Sequence, residues 1–486
     1  MYEHDLNSAF SRIKADEDLK DRIWERIEER EMKQTTIKRT RKATAVIICA
    51  AALCLTTAFA ASPVGQEAIG SVIDYFKNTQ AVEVTDIDTL NQYNSAIGAS
   101  VTKDGYTLTL DNVSADDNFV HVFYTVTTDG EPFFTGGTPE KPEGMQGSVW
   151  VDCMIDGQVA SGNNSIWDSY FADNRTYKAV QKFSVATREI PDHFKIELLG
   201  MDENTVLDLS RFDAFGDFYQ PGATLSDEEK SKILYVSADI DKSAVKLNSV
   251  TKEIHQKLWN GSEVEKAVFS PFGNQVVLKT PPIGEDDNMN IDGFALFDEN
   301  NRSLDIINSG LTASSERAVK NSFEFLKADA AIKQLKFVPI EYDTDNREEI
   351  EVLKQAIGTY PISYKVSDYG NVVVTGVRFS DGEVDVDYYK DGFVLYDPGF
   401  LFLDDNGEDA MTSEKLSWVQ ITDVHQKNGT YTARYVYDPM DDEGNHLPTD
   451  DSVNAENLRK KFKVLGTFDT NYIHLNFDEA VAVDLQ

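Results

Sequence analysis

Cysteine is scarce in this sequence, and its placement matters more than its number. Cys49 and Cys54 share one apolar run, and Cys153 stands alone beyond it. No intramolecular disulfide can staple the long portion after that run, which excludes the small disulfide-rich secreted scaffolds. A large exported portion without disulfides suits a bacterial surface. Neither Cys49 (after Ile48) nor Cys54 (after Leu53) follows the small residue that a lipoprotein signal needs. Histidine is scarce as well. His4, His121, His193, His255, His425, His446 and His474 show no metal-ligand spacing, and no His-Glu-x-x-His occurs. A Gly-x-Ser-x-Gly elbow and a phosphate-binding loop are both absent. Ser11-Arg12-Ile13-Lys14 fits Ser-x-x-Lys but lacks the companion motifs of penicillin-binding enzymes. Cys153 lies in a strand-like run rich in apolar residues, with no histidine at a recognisable spacing, so it reads as a small core residue. No paired acid and nucleophile can be nominated. The expectation is a protein that is not an enzyme and holds no metal or cofactor.

Positive charge is the next deficit. The chain has 46 basic and 83 acidic residues. Residues 1–42 hold 11 of the basic and 10 of the acidic ones, which leaves 35 basic and 73 acidic beyond, a net of −38. Such a surface repels nucleic acid and anionic headgroups. Acidic turns raise the question of calcium. Asp286, Asn288 and Asn290 begin like an EF-hand loop, but Ile291 stands where glycine is needed. Asp404-Asp405-Asn406-Gly407 and Asp441-Asp442-Glu443-Gly444 read as hairpin turns by the same test.

Long apolar runs are also missing, with one exception. Ala43–Ala61 carries no charge over 19 residues, enough to cross a bilayer as a helix. Eight of the 19 are Ala, so insertion rests on Val46, Ile47, Ile48, Leu53, Leu55 and Phe59. Together these contribute on the order of −2 to −4 kcal/mol. Ala58-Phe59-Ala60 has the small-x-small pattern of a signal-peptidase site, so cleavage after Ala60 competes with a lasting span. The 42 residues before the run are long for a secretory leader and have helical periodicity of their own. A span over 43–62 is therefore expected. Lys38, Arg39, Arg41 and Lys42 flank it on one side, and the thirty residues after Ser62 hold one Lys and no Arg. The positive-inside rule puts the N-terminus in the cytoplasm and the remainder outside.

Within residues 1–42, Leu6, Ala9, Phe10 and Ile13 fall on one helical face. Asp16 can cap a second helix, in which Leu19, Ile23 and Ile27 recur with Trp24 beside them. Forty residues cannot bury these faces in a core of their own. Phe10, Ile13, Leu19, Ile23, Trp24 and Ile27 are thus candidate partner-binding residues, with a helix lying on the inner leaflet as the alternative.

Residues 63–95 read as a short juxtamembrane helix and a linker. Beyond them the pattern is β: runs of Val, Tyr, Phe and Thr, parted by turns such as Asp156-Gly157 and Asp381-Gly382. A repeat supports this. LTLDNVSADDNFVHVFY (108–124) aligns without a gap to VVVTGVRFSDGEVDVDY (372–388), with VEKAVFSPFGNQVVLK (264–279) as a looser middle copy. GFALFDENN (293–301), GFLFLDDNG (399–407) and SVWVDCMIDGQ (148–158) form a second recurring set. The expected fold is mainly β: short cytoplasmic helices, one transmembrane helix, then about three immunoglobulin-like β-sandwich modules at 96–210, 247–345 and 362–486. Between them lie a linker at 211–246, with a helix near 222–233, and a helical linker at 346–361.

DLNSAFSRIKADEDLKDRIWERI (5–27), the basic flank, the weak span and VTKDGYTLTLDNVSADDNFVHVFYTV (101–126) together resemble a family of bacterial single-pass membrane proteins. These carry an extracytoplasmic domain of unknown function (type 4179) and are anti-sigma-factor-like. Residues 241–279 resemble the immunoglobulin-like domain that often follows. The resemblance implies that residues 1–42 clasp an extracytoplasmic-function sigma factor, and that an envelope signal frees it by proteolysis near the span. It implies localisation in the bacterial cell membrane, N-terminus inside. Many such clasps use a zinc-binding His-x-x-x-Cys-x-x-Cys helix, which residues 1–42 cannot form because they lack cysteine. Contact would rest on helix-in-groove packing. The rival reading is a cell-surface binding or adhesion module with the N-terminus as anchor.

Overall fold

The structure, a computed structural model, describes residues 94–485 with short breaks, the longer ones at 281–292, 312–318, 344–349, 412–417 and 440–451. The predicted cytoplasmic helices, span, basic flank and juxtamembrane helix lie outside the described residues, as does the acidic loop at 286–291. Among the described residues no helix is long and apolar enough to cross a membrane.

The described chain is mainly β and builds three modules, each with two antiparallel sheets facing one core. Module 1 comprises β1 (Asn94–Lys103), β2 (Tyr106–Ala115), β3 (Phe119–Thr128), β4 (Phe134–Thr138), β5 (Lys141–Met145), β6 (Trp150–Ile155), β7 (Gln158–Val159), β8 (Ile166–Asp173), β9 (Thr176–Ser184) and β10 (His193–Met201). Helix α1 (Asp227–Lys232) and β11 (Leu234–Asp241) complete it. One sheet runs β1-β2-β3-β9-β8 and the other β11-β10-β6-β7. Period two explains the choice of strand. In β3, Val120, Val122, Tyr124 and Val126 enter the core, where they meet Leu198, Val236 and Cys153 of the facing sheet. Asp156 and Gly157 both take positive φ, as a two-residue hairpin between β6 and β7 requires.

Module 2 holds β12 (Val250–Lys257), β13 (Glu263–Ser270), β14 (Gly273–Thr280), β15 (Phe294–Phe297), β16 (Ile306–Leu311), β17 (Val319–Phe325) and β18 (Gln334–Tyr342). Module 3 follows with β19 (Val352–Ala356), β20 (Ile362–Lys365), β21 (Gly370–Ser380), β22 (Glu383–Gly392), β23 (Phe400–Leu403), β24 (Trp418–His425), β25 (Thr430–Tyr437), helix α2 (Ala455–Lys461), β26 (Val464–Phe468), β27 (Ile473–Leu475) and β28 (Val481–Asp484). Their five-stranded sheets run β12-β13-β14-β17-β16 and β20-β21-β22-β25-β24, the order seen in module 1. The repeated sequences are the same hairpin three times: β2–β3, β13–β14 and β21–β22. Even the register break recurs, between Leu110 and Asn112, Val264 and Lys266, and Val374 and Gly376.

The small sheets differ in where their third strand comes from. In module 1 the central strand β10 pairs with β6 and with β11, the next strand along the chain. In module 2 the central strand β18 pairs with β15 and with the C-terminal β27 and β28. In module 3 the central strand β26 pairs with β23 and with β19, which follows β18. Modules 2 and 3 have therefore exchanged their closing strands. Val483 and Leu485 fill the module 2 core, and Leu353 packs on that of module 3.

These pairings correct three boundaries. Residues 211–246 are not a plain linker, since β11 lies there and buries Leu234, Val236, Ala238 and Ile240. Its alternation is regular, but α1 and its charged turn obscure it. Residues 352–356 are a strand, not part of a helical linker, because β26 offers an open edge whose hydrogen bonds β19 completes. Module 3 does not keep everything to the C-terminus, since β27 and β28 close module 2.

Candidate functional site

The candidate partner-binding residues Phe10, Ile13, Leu19, Ile23, Trp24 and Ile27 lie outside the described residues, as do Lys38, Arg39, Arg41 and Lys42. Among the described residues, two junctions and one cleft gather the polar chemistry.

The first junction joins modules 1 and 2. The faces of their five-stranded sheets turned away from each core meet, so residues that would otherwise face water are buried. Asn118 donates from Nδ2 to the carbonyls of Val268 at 2.9 Å and Gly273 at 2.8 Å. Asp116 accepts from the backbone N–H groups of Asn118 (2.7 Å), Phe119 (2.8 Å) and, across the junction, Phe272 (3.0 Å). Burial still outweighs these donors and pushes its carboxyl up to about 6. Lys182 meets Glu324 at 2.9 and 3.0 Å with both side chains fully buried, and its ammonium sits 4.2 Å from the Phe119 ring centroid. His121 packs edge-on against Phe272. Burial, with the Lys182 charge adding to it, holds its imidazole well below the usual range, hence neutral.

The second junction joins modules 2 and 3. Lys390 lies between Asp305 at 3.3 Å and Asp397 at 3.2 Å, and the Tyr431 hydroxyl donates to Asp305. Phe393, Ile473 and Leu475 pack on Ala295, Phe297 and Val338 beside it.

Next to this junction, at one end of module 3, a cleft of about 420 Å³ opens. Its floor is Val366, Val372 and Val394, which lie between the two sheets of the module. Its walls come from the two connections that cross between modules. Ile350 leads into β19, and Phe468 and Tyr472 lead from β26 towards β27. Ile350 and Phe468 remain 44% and 42% exposed. Asp397 and Asp469 stand in the lining, which contains no basic residue among the described residues. Asp469 is committed to the fold: it accepts from the Glu351 N–H at 3.2 Å and from Asn471 Nδ2 at 2.6 Å. Asp397 gives one oxygen to Lys390, and its side chain is half exposed.

Cys153 is buried in the module 1 core, where burial pushes its thiol far above the ordinary range. Among the described residues no three of His, Cys, Asp and Glu converge to hold a metal. The Asp404 turn closes on itself, with the Asn406 and Gly407 N–H groups both donating to Asp404. Sequence reasoning missed the cleft because its residues come from four separate stretches; the only local signal was Phe468 at the end of an otherwise inward-facing strand.

A search of curated proteins finds no match. Among solved structures, the chain is similar to a protein described as "the conserved domain protein from Bacillus anthracis". Identity is 10%, coverage is 60% of this chain and 88% of that one, and the TM-score is 0.34, too loose a likeness to assign fold or function. A family model described as "Domain of unknown function (DUF4179)" matches residues 36–128, from the basic flank through the apolar run to the last residue of β3. Over that stretch, and by that measure, the chain is similar to DUF4179 proteins.

Proposed function

We propose that this chain is a membrane-anchored, anti-sigma-factor-like regulator rather than an enzyme. Residues 43–62 span the bacterial membrane, and residues 1–42 hold an extracytoplasmic-function sigma factor inside. The β modules, read as immunoglobulin-like sandwiches, receive an envelope signal outside. The observation that carries this reading is the extent of the DUF4179 match. It takes in the basic flank and the whole apolar run together with the first hairpins, as one unit. A leader that is cut away and discarded has no physical reason to be coupled to the module behind it. The cytoplasmic clasp rests on Phe10, Ile13, Leu19, Ile23, Trp24 and Ile27, whose apolar faces exceed what forty residues can bury alone.

The test is capture. A peptide of residues 1–42 should retain a sigma factor from a lysate of the host, identified by mass spectrometry. Trp24→Ala with Ile27→Ala should release it, since truncating a buried interface Trp commonly costs about 2 kcal/mol, roughly thirtyfold in affinity. Genes under that sigma factor should then rise. No captured sigma factor and unchanged transcription in the double variant would overturn the reading. A second reading, a surface-binding module held by the same anchor, draws on the cleft in module 3. It makes the cytoplasmic apolar residues dispensable.

A further inference from the structure

We propose that the cleft at the crossing of modules 2 and 3 binds an organic cation with an apolar body, such as an ammonium group on an aromatic or aliphatic chain. The site does not depend on how residues 1–42 are used. Three features of the cleft converge on that chemistry. Its volume, about 420 Å³, is that of a small-molecule site, and such sites favour the seams between domains. Its floor is valine and its walls are aliphatic and aromatic, which selects an apolar body. Among the described residues its charged lining is carboxylate, without a basic residue, which selects a positive head.

The charge balance around Asp397 strengthens the choice. Lys390 is shared between Asp305 and Asp397, so Asp397 does not hold that ammonium to itself. Asp305 is the buried member, at 10% exposure, and takes the hydroxyl of Tyr431 as well. Asp397 is the one whose side chain is half exposed, and it lines the cleft. An ammonium entering there meets a carboxylate in a lining that also holds the aromatic residues Phe468 and Tyr472, residue types that attract cations. An anion would meet that half-exposed carboxylate and a chain with a net charge of −37. Since Ile350 and Tyr472 come from the two connections that cross between modules, an occupant also bridges both halves of the strand exchange.

The experiment uses three probes of one length: 4-phenylbutylammonium, 4-phenylbutanol and 4-phenylbutyrate. Each is titrated into the full chain by calorimetry. The expected order is ammonium, then alcohol, then carboxylate. The step from ammonium to alcohol should be about tenfold, the weight of one partly exposed charge-assisted contact. Asp397→Asn should bring the ammonium down to the level of the alcohol. The fold tolerates that change, because Lys390 keeps Asp305. Phe468→Ala should weaken the ammonium and the alcohol alike, and its exposed position spares the fold, which a melting curve checks. Ammonium binding that both variants leave unchanged would mark general attraction to an acidic surface and overturn the proposal. So would equal binding of all three probes, or binding of none.

Discussion

Module 1 and the module 2–3 pair are built from the same hairpins, yet they close in different ways. Module 1 sends the chain from β10 through residues 202–233, with helix α1, and back onto β10 as β11. Modules 2 and 3 have short connections, 343–351 after β18 and 469–472 after β26, and each passes its closing strand to the other. Short hinges favour handing a strand to a neighbour over folding back. The consequence is energetic. Module 1 keeps its core within one continuous stretch of chain and can melt as a unit. Neither module 2 nor module 3 can lose its closing strand without opening its neighbour, so the pair should behave as one cooperative unit. Repeats in sequence need not be units of folding.

The sharpest way to break this comparison is to delete residues 470–486. The deletion removes Ile473, Leu475, Val483 and Leu485, four buried apolar side chains, at about 1.5–3 kcal/mol each. Modules 2 and 3 should unfold together, and hydrogen exchange should show the core of module 1 still protected. Loss of protection in module 2 alone would argue against a cooperative pair.

Lys182→Met acts instead on the seam between module 1 and that pair. It leaves Glu324 charged and buried, at a cost of about 3–5 kcal/mol. Adding Glu324→Leu should restore most of the loss, because an apolar pair needs no desolvation of charge. Denaturant titration checks both variants, and no rescue by the double variant would show that the ion pair itself is required.

Asp116 makes the same seam sensitive to pH. Its carboxyl is raised to about 6 from an ordinary value near 3.8, so the folded state binds the proton more tightly than the unfolded state does. Stability is therefore gained as pH falls through 6, and the gain is complete near the unfolded value. Relative to Asp116→Asn, the native protein should gain about 2 kcal/mol between pH 7.5 and 4.5. Parallel pH profiles for the two proteins would contradict this.

The smallest effect comes from a matched pair of single substitutions. Val236 sits opposite Leu198 in module 1, and Val483 sits opposite Leu335 in module 2. Each Val→Ala change should cost about 2 kcal/mol, through lost burial and the space left behind. Val236→Ala should lower protection in module 1 only, and Val483→Ala in modules 2 and 3 together.

Much of the β architecture was legible because alternation is a local signal. Val120, Val122 and Tyr124, and their counterparts Val384, Val386 and Tyr388, are buried in their respective cores as their spacing requires. The strand exchange was not legible, because pairing partners are chosen over distances that no window contains. The sequence of β19, Val352-Leu353-Lys354-Gln355-Ala356, follows a charged stretch and suits a helix as well as an edge strand, and tertiary pairing with β26 decides it. Strand β28 is four residues long and gains its identity only from β18. The buried charge between modules 1 and 2 was hidden for a related reason. Lys182 and Glu324 look like solvent-facing residues of alternating strands until a second sheet covers them. The cleft follows from the exchange, so it was invisible wherever the exchange was.

One cross-linking measurement tests the exchange most directly. Gln334 and Asp484 are register partners on β18 and β28, with Gln334 Nε2 donating to Asp484 Oδ1 at 2.9 Å. Facing positions of an antiparallel pair lie within the span of a disulfide, about 4.4–6.8 Å between Cα atoms. In a Cys49→Ser, Cys54→Ser background, Gln334→Cys with Asp484→Cys should oxidise to one disulfide within a single chain. Peptide mapping would find it, and the protein would run as a monomer on a non-reducing gel. A chain that forms no 334–484 disulfide, or forms it only between two copies, would contradict the exchange.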